Sequence, residues 1–248
     1  MKFLINYANK PYFFRAQENL ISSAKKYFNG YIPYHPGMLD KAFYEKNKNI
    51  LERQRGGGYW LWKPYIIKKT LELAKEGDYV FYVDSGNTIV NDPAPLFNLV
   101  DIEQSGILLF DNRDGSTNDK EVKGEVWRNN LWTKYDCFKL MNCLEDKFIY
   151  GKQVDGSYIL IKKNSFTMSF FEEYLQYCEN EHILTDIPNI HGTNFPGFRD
   201  HRHDQSILSL LAIKYNLTLA REPSEWGNDF KTEKYNYPQI FFHHRGLA

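Results

Sequence analysis

Short apolar runs alternate with amphipathic stretches along this chain. Residues 3–7, FLINY, read as a short buried strand, because an apolar run of that length suits a strand covered on both faces. Residues 11–28 place Phe13, Phe14, Ala16, Leu20, Ile21 and Ala24 at helical spacing, and Pro11 suits the first turn. GYIPY (30–34) predicts a second strand, and residues 38–51 predict a helix. The segment RQRGGGYWLWKP follows as a glycine-rich loop. It leads into a helix with Pro64 in its first turn and Gly77 at its end. DYVFYV (78–83) and GILLF (106–110) are the next strands. Residues 111–125 are polar and predict a mobile surface loop. Residues 126–142 predict a helix, GSYILIKK (156–163) a strand, and residues 165–180 and 204–216 two helices, the last with Asp204 placed to cap it. NLTLARE and QIFFHH are late strands. Strands alternating with helices predict an α/β domain with parallel pairing. No repeat, low-complexity tract or linker divides it.

Composition narrows the classes. The 248 residues suffice for one large domain, and 42% hydrophobic content excludes disorder. Lys+Arg and Asp+Glu are equal at 31 each, so no global charge drives nucleic-acid binding. Aromatics reach 17%, which suits cores and stacking on sugars or bases. Cys137, Cys143 and Cys178 form no Cys-x-x-Cys pair and predict a reducing, cytoplasmic setting. MKFLINYANK is too short for a signal peptide, and no apolar run is long enough to span a bilayer. Peripheral membrane contact stays open.

Chemistry collects where the strands end. Ligands of open α/β sheets bind beyond the carboxyl ends of the strands, and Asp84 follows the strand at 78–83 directly. The preceding helix runs back antiparallel, so its N-terminus, with Gly56–Gly58, Arg55 and Lys63, faces the same rim. Free N–H groups beside cations make an anion site; glycines in a plain turn beside core tryptophans are the alternative. His201 and His203, in HRHDQ, and His243 and His244, in FFHHRG, hold four of the seven histidines. They predict metal or phosphate ligands or, for His201 and His203, a solvated loop. Spacing for a zinc site is missing, so an oxygen-seeking Mg²⁺ or Mn²⁺ is the better expectation. The chain lacks a P-loop, a G-x-G-x-x-G after the first strand and a G-x-S-x-G elbow.

YVDSGNTIVNDPAPLF resembles a segment of GT-A-type glycosyltransferases that reads Y-[LV]-D-x-D-x-x-[VL]-x-x-D-x-x-x-L-[FW], with matches at Asp84, Asp92, Leu96 and Phe97. DQSILSLL and FFHHRG resemble motifs of the retaining group that includes glycogenin and bacterial lipooligosaccharide galactosyltransferases. The three motifs occur in order over residues 78–246. The resemblance implies one Rossmann-like GT-A domain over 1–248, with a mixed, mostly parallel sheet flanked by helices. Residues 1–110 would bind nucleotide and 111–248 would face the acceptor. It implies a nucleotide-diphosphate sugar as donor, Mn²⁺ or Mg²⁺ on the diphosphate, and transfer to a hydroxyl of a glycan in surface polysaccharide or glycoconjugate synthesis. Asp84, His243 and His244 would hold the metal. Asn9, Arg55, Lys63, Tyr82, Asp84, Ser85 and Arg245 would bind the donor. Asp204, Gln205 and Asp155 would be catalytic, Asp136 being a further carboxylate candidate, and Trp127 or Trp132 would line the acceptor site. One departure stands out: the family's second aspartate falls on Gly86. Asp84 with Asn87 or a histidine could then hold the ion more weakly, or Lys63, Arg55 or Arg245 could neutralise the diphosphate without a metal. A sugar nucleotidyltransferase and a transferase reduced to binding are the alternatives.

Overall fold

The computed structural model describes residues 1–112 and 127–244. Its strands are β1 (Lys2–Tyr7), β2 (Gly30–Tyr34), β3 (Tyr79–Val83), β4 (Asn87–Ile89), β5 (Ile107–Phe110), β6 (Tyr158–Lys162), β7 (Leu219–Ala220) and β8 (Phe241–His243). Six of them form one sheet in the order β2-β1-β3-β6-β5-β7. β6 is antiparallel to both its neighbours, while β1, β2, β3, β5 and β7 run the same way. The sheet is therefore mixed and mostly parallel, with helices on both faces, as expected.

Period-two alternation explains the two-sided core. Ile5, Val80, Tyr82, Leu109, Ile159 and Ile161 point to one face, where the helices Trp62–Leu73, Ser165–Cys178 and His203–Lys214 cover them. Leu4, Phe81, Val83, Leu108, Phe110 and Leu160 point to the other, beneath the helices Pro11–Ala24 and Ala94–Ile102. The central strands β1, β3, β5 and β6 are buried on both faces, which is why they read as continuous apolar runs.

Strand direction decides what reaches the functional rim. Asn9, Asp84, Asp111 and Glu222 all follow the carboxyl ends of parallel strands. β6 runs the other way, so the residues before it, Asp155–Ser157, reach the same rim. A second, two-stranded sheet pairs β4 with β8 and sets Asn87 opposite His243. The chain's last described residues thus lie against the segment that follows Asp84.

Two predicted helices are broken. Residues 38–51 form helices Lys41–Lys46 and Lys48–Leu51, interrupted at Asn47. The buried Asn47 amide donates to the Phe43 carbonyl (3.1 Å) and to Glu179 (2.9 Å), a competition that favours a break. Residues 126–142 give helices Asn129–Trp132 and Tyr135–Leu140, separated by the extended Thr133. Buried Lys134 there donates to the carbonyls of Thr185 and Ile187. The helix expected to end at Gly77 ends at Leu73, and Gly77 lies in the turn beyond (φ +80°). From residue 113 on, the expected loop at 111–125 lies outside the described residues, as does Arg245.

Candidate active site

β1 connects to β2 on one side and has β3 on the other. The sheet's topology therefore switches between β1 and β3, where a crevice is expected. A cleft of about 600 Å³ opens there. Asn9, Tyr82, Asp84, Ser85 and Gly86 line it. Its floor is aromatic: Trp62 stacks on Tyr7 at 3.9 Å between ring centres. The Tyr82 hydroxyl donates to Asp84 Oδ1 (2.5 Å), and Ser85 Oγ donates to the Tyr7 carbonyl (2.8 Å). Lys10, Tyr12 and Phe13 complete the outer wall. Lys10 is the one cation among the described lining residues, and sequence reasoning missed it. The strand-end position that marks Asn9 after β1 extends to Lys10, the next residue.

The glycine-rich segment builds the opposite wall. Gly56, Gly57, Gly58, Tyr59 and Trp60 all have positive φ, between +53° and +96°. Tyr59 N–H donates to the Arg55 carbonyl and Trp60 N–H to that of Gly56, so the segment is one left-handed helical turn. A left-handed turn costs an L-residue about 1–2 kcal/mol per position, which glycine avoids. Gly57 also has no room: a Cβ there would lie 2.1 Å from Asn9 Nδ2. Tyr59 and Trp60 meet the ring of His203, itself at φ +51°.

This turn changes the expected anion site. The N–H groups of Leu61 and Lys63, at the start of the helix Trp62–Leu73, donate to carbonyls of the turn. Arg55 is held by Asp186 (3.0 Å) and Asp200 (2.7 Å) and does not line the cleft. It ties the turn to the 186–200 segment.

Lys63 is buried beside the cleft. Its ammonium pairs with Asp204 Oδ2 (2.6 Å) and donates to the Gly156 carbonyl (3.0 Å). Burial alone would lower its pKa, but Asp204, Asp84 and Asp155 outweigh that and raise it. Asp204 therefore does not cap its helix; its carboxylate holds a lysine from another element. Asp155 is buried, its carboxylate accepting from Ser157 N–H (2.8 Å), and its pKa is raised by burial. Gln205, half-buried, stands next to Gly156 and Lys63. Lys63, Asp155, Asp204 and Gln205 are thus brought together, and Asp84 lies within electrostatic reach of Lys63. Glu222, at the end of β7, joins the group from the far side. Burial first and then Asp155 push its carboxyl up to about 8.

His243 and His244 reach the same rim. The N–H of His244 donates to the Gly86 carbonyl (3.0 Å). His243 Nε2 lies 3.2 Å from the Tyr158 hydroxyl and Nδ1 3.7 Å from Glu225, and Trp226 stacks on its ring. These residues make an incomplete donor set for a divalent ion: His243 Nδ1 and His244 Nε2 are buried without a hydrogen-bond partner, but Gly86 offers no side chain and one Asp84 oxygen already accepts from Tyr82. Among the described residues no group of three or more His, Cys, Asp or Glu is gathered to hold a metal.

The expected solvated loop at His201 and His203 is corrected. His201 and His203 are buried, each bonded to a main-chain carbonyl (2.8 Å). Burial lowers both pKa values, that of His203 to about 4. Asp136 accepts from the N–H groups of Ile190 and His191, a structural role. Trp132 is buried, stacked on Trp127 at 4.2 Å with Arg202 against both rings. Asp92 Oδ1 accepts from Ala94 N–H and closes the turn before the next helix.

No protein-family model and no curated protein matches the sequence. The chain is similar in structure to mouse xyloside xylosyltransferase 1 in its apo form, with a TM-score of 0.50 at 10% identity, over 99% of this chain and 98% of that one. This likeness shows a glycosyltransferase-type fold. The chain also aligns with the apo form of the glycosyltransferase GlyE of Streptococcus pneumoniae TIGR4 (TM-score 0.47, 13% identity, 97% of this chain and 53% of that one). A third alignment is with a glycosyltransferase involved in glycosylation of the major capsid of PBCV-1 (TM-score 0.47, 8% identity, 99% and 94%). No helix among the described residues is long and apolar enough to cross a membrane.

Proposed function

We propose that the chain is a glycosyltransferase that moves a sugar from a nucleotide-diphosphate sugar to a hydroxyl of a glycan or similar acceptor. The observation that carries this reading is the cleft at the β1/β3 switch point, lined by Asp84 and flanked by the buried Lys63–Asp204 pair and Gln205. Residues 1–110 hold the nucleotide, with Tyr12, Phe13 and Trp62 offering ring faces and Lys10 a cation. Asp84 orients the donor at its ribose or diphosphate. The sugar extends toward Gln205 and Asp204, and the acceptor enters from the 111–248 side, near Asp155.

Transfer breaks the bond from the anomeric carbon to the diphosphate oxygen, which leaves with the electron pair. The acceptor oxygen bonds to that carbon, and its proton passes to the leaving phosphate. The transition state is oxocarbenium-like, so negative and dipolar groups near the sugar favour it, while cations favour the leaving group. Asp204 is locked to Lys63 and is therefore a fixed negative charge rather than a mobile base. Gln205 beside the sugar favours retention of configuration. Because the metal donor set is incomplete at Gly86, no step is assigned to a metal.

A screen of UDP-, GDP- and TDP-sugars by thermal shift, with and without Mn²⁺, tests the reading, because a ligand that binds the folded state raises apparent stability. The expected result is stabilisation by one nucleotide class and product formation with a glycan acceptor. Binding without transfer or hydrolysis for every sugar would favour the binding-only alternative, and no binding at all would reject the proposal.

A further inference from the structure

Behind Gln205 lies a chain of buried amides whose orientation is forced from one end. The Phe148 carbonyl can only accept, and Asn129 Nδ2 donates to it (2.9 Å). Asn129 Oδ1 is therefore an acceptor, and Gln153 Nε2 donates to it (2.9 Å) and to Thr133 Oγ1 (2.9 Å). With both N–H bonds of Gln153 committed, its Oε1 must accept, and it does so from Gln205 Nε2 (3.0 Å). Each link removes the freedom of the next amide to flip, so the ambiguity of side-chain amides is resolved by the network. Asn129, Thr133 and Gln153 are all fully buried. The relay ends at Gln205 Oε1, beside Gly156. A Cβ at Gly156 would lie 3.5 Å from that oxygen and 3.4 Å from Lys63 Nζ.

We propose that Gln153 is a positioning residue: it turns the Gln205 amide so that the oxygen, and not the nitrogen, faces the transferred sugar. The inference rests on the transferase reading. An amide oxygen presents the negative end of its dipole to the positive anomeric centre, whereas a flipped amide would present N–H and oppose it. The segment carrying Gln153 is fixed elsewhere as well, since Val154 N–H donates to Ser209 Oγ (2.9 Å) and Ser209 Oγ donates to the Gln205 carbonyl (2.7 Å). The relay therefore sets only the last degree of freedom, rotation of the Gln205 amide.

The test uses Gln153→Met, which removes the acceptor at similar volume, alone and combined with Gln205→Ala. With the nucleotide sugar found by the screen, Gln153→Met is expected to lower kcat about 10- to 100-fold, the scale of a misplaced reacting group, with KM for the donor unchanged. Gln205→Ala should lose as much, and the double variant no more than Gln205→Ala alone. An unchanged kcat in Gln153→Met, or losses that multiply in the double variant, would overturn the proposal. A second readout needs no activity: the side-chain NH₂ of Gln205, assigned by its loss in Gln205→Ala, should exchange slowly with solvent in the wild type and fast in Gln153→Met. Fast exchange in the wild type would refute the lock even if Gln153→Met fails to fold. A wild type that transfers no sugar but shows slow exchange would sink the transferase reading and leave the lock standing.

Discussion

The rim of the sheet has two neighbouring halves built on opposite terms. Between β1 and β3 it is open: Asn9, Asp84 and Ser85 line a cleft, and ring faces of Trp62 and Tyr82 form its floor. Beneath the helix His203–Lys214 it is closed: Lys63, Asp204, Asp155 and Gln153 are buried, each held by a named partner. The open half can receive a ligand but holds little fixed charge. The closed half holds fixed charge where water cannot weaken it. Binding and electrostatic preorganisation are therefore separated by a few residues of chain, with Lys63 reaching from one wall into the other half.

The largest expected effect falls on the open half. Asp84→Ala should reduce transfer from a nucleotide sugar by about a thousandfold or more. Its unfolding free energy should fall by only about 1–2 kcal/mol, the loss of the partner of Tyr82; kinetics and urea titration on one preparation check both. A comparable loss of stability would show that the two halves are not separable. On the closed side the effects should be reversed in kind. Lys63→Met strands the Asp204 carboxylate and should cost about 3–5 kcal/mol of stability. The double variant Lys63→Met/Asp204→Leu should regain most of it in denaturant titrations.

Glu222 supplies a pH-dependent test of the same half. Its folded carboxyl sits at about 8 against an ordinary 4.5. The stability gained from holding that proton is complete below about 4.5 and is lost as pH rises through about 8. Thermal unfolding from pH 4.5 to 8.5 should show this decline in the wild type, on the order of a few kcal/mol. Glu222→Gln should remove it. The smallest effect is expected at Arg55→Gln: its two ion pairs are partly exposed, so less than about 1 kcal/mol should be lost. A larger loss would mean that the left-handed turn depends on those carboxylates.

Much of this architecture was legible in the sequence because it depends on short-range signals. The strands announce themselves as apolar runs, and the first helix by Pro11 and its spacing. Asp84, which lines the cleft, stands out in the sequence because a carboxylate at the end of an apolar strand adds nothing to its packing. What could not be read depends on pairings distant in sequence. Asp204 looks like a helix cap until Lys63, on a helix more than a hundred residues earlier, arrives to bind it. His201-Arg202-His203 reads as solvated because its letters are polar, yet the carbonyls of Ile183 and Leu184 bury both imidazoles. Arg55 looked like a phosphate ligand because the carboxylates that hold it lie beyond residue 185. The split at Asn47 turns on one side-chain amide binding a distant glutamate.

The left-handed turn also sets a rule for how this sequence can drift. Most surface positions exchange freely at little cost, but a side chain at 58 would meet the Leu51 backbone at 2.7 Å, and one at 57 would displace the Asn9 amide and strain a positive φ. Positions 59 and 60 must bear inverted backbone geometry and still supply rings to His203. The three glycines and two aromatic residues ahead of Lys63 are thus tied to backbone geometry and close approach rather than to solvent.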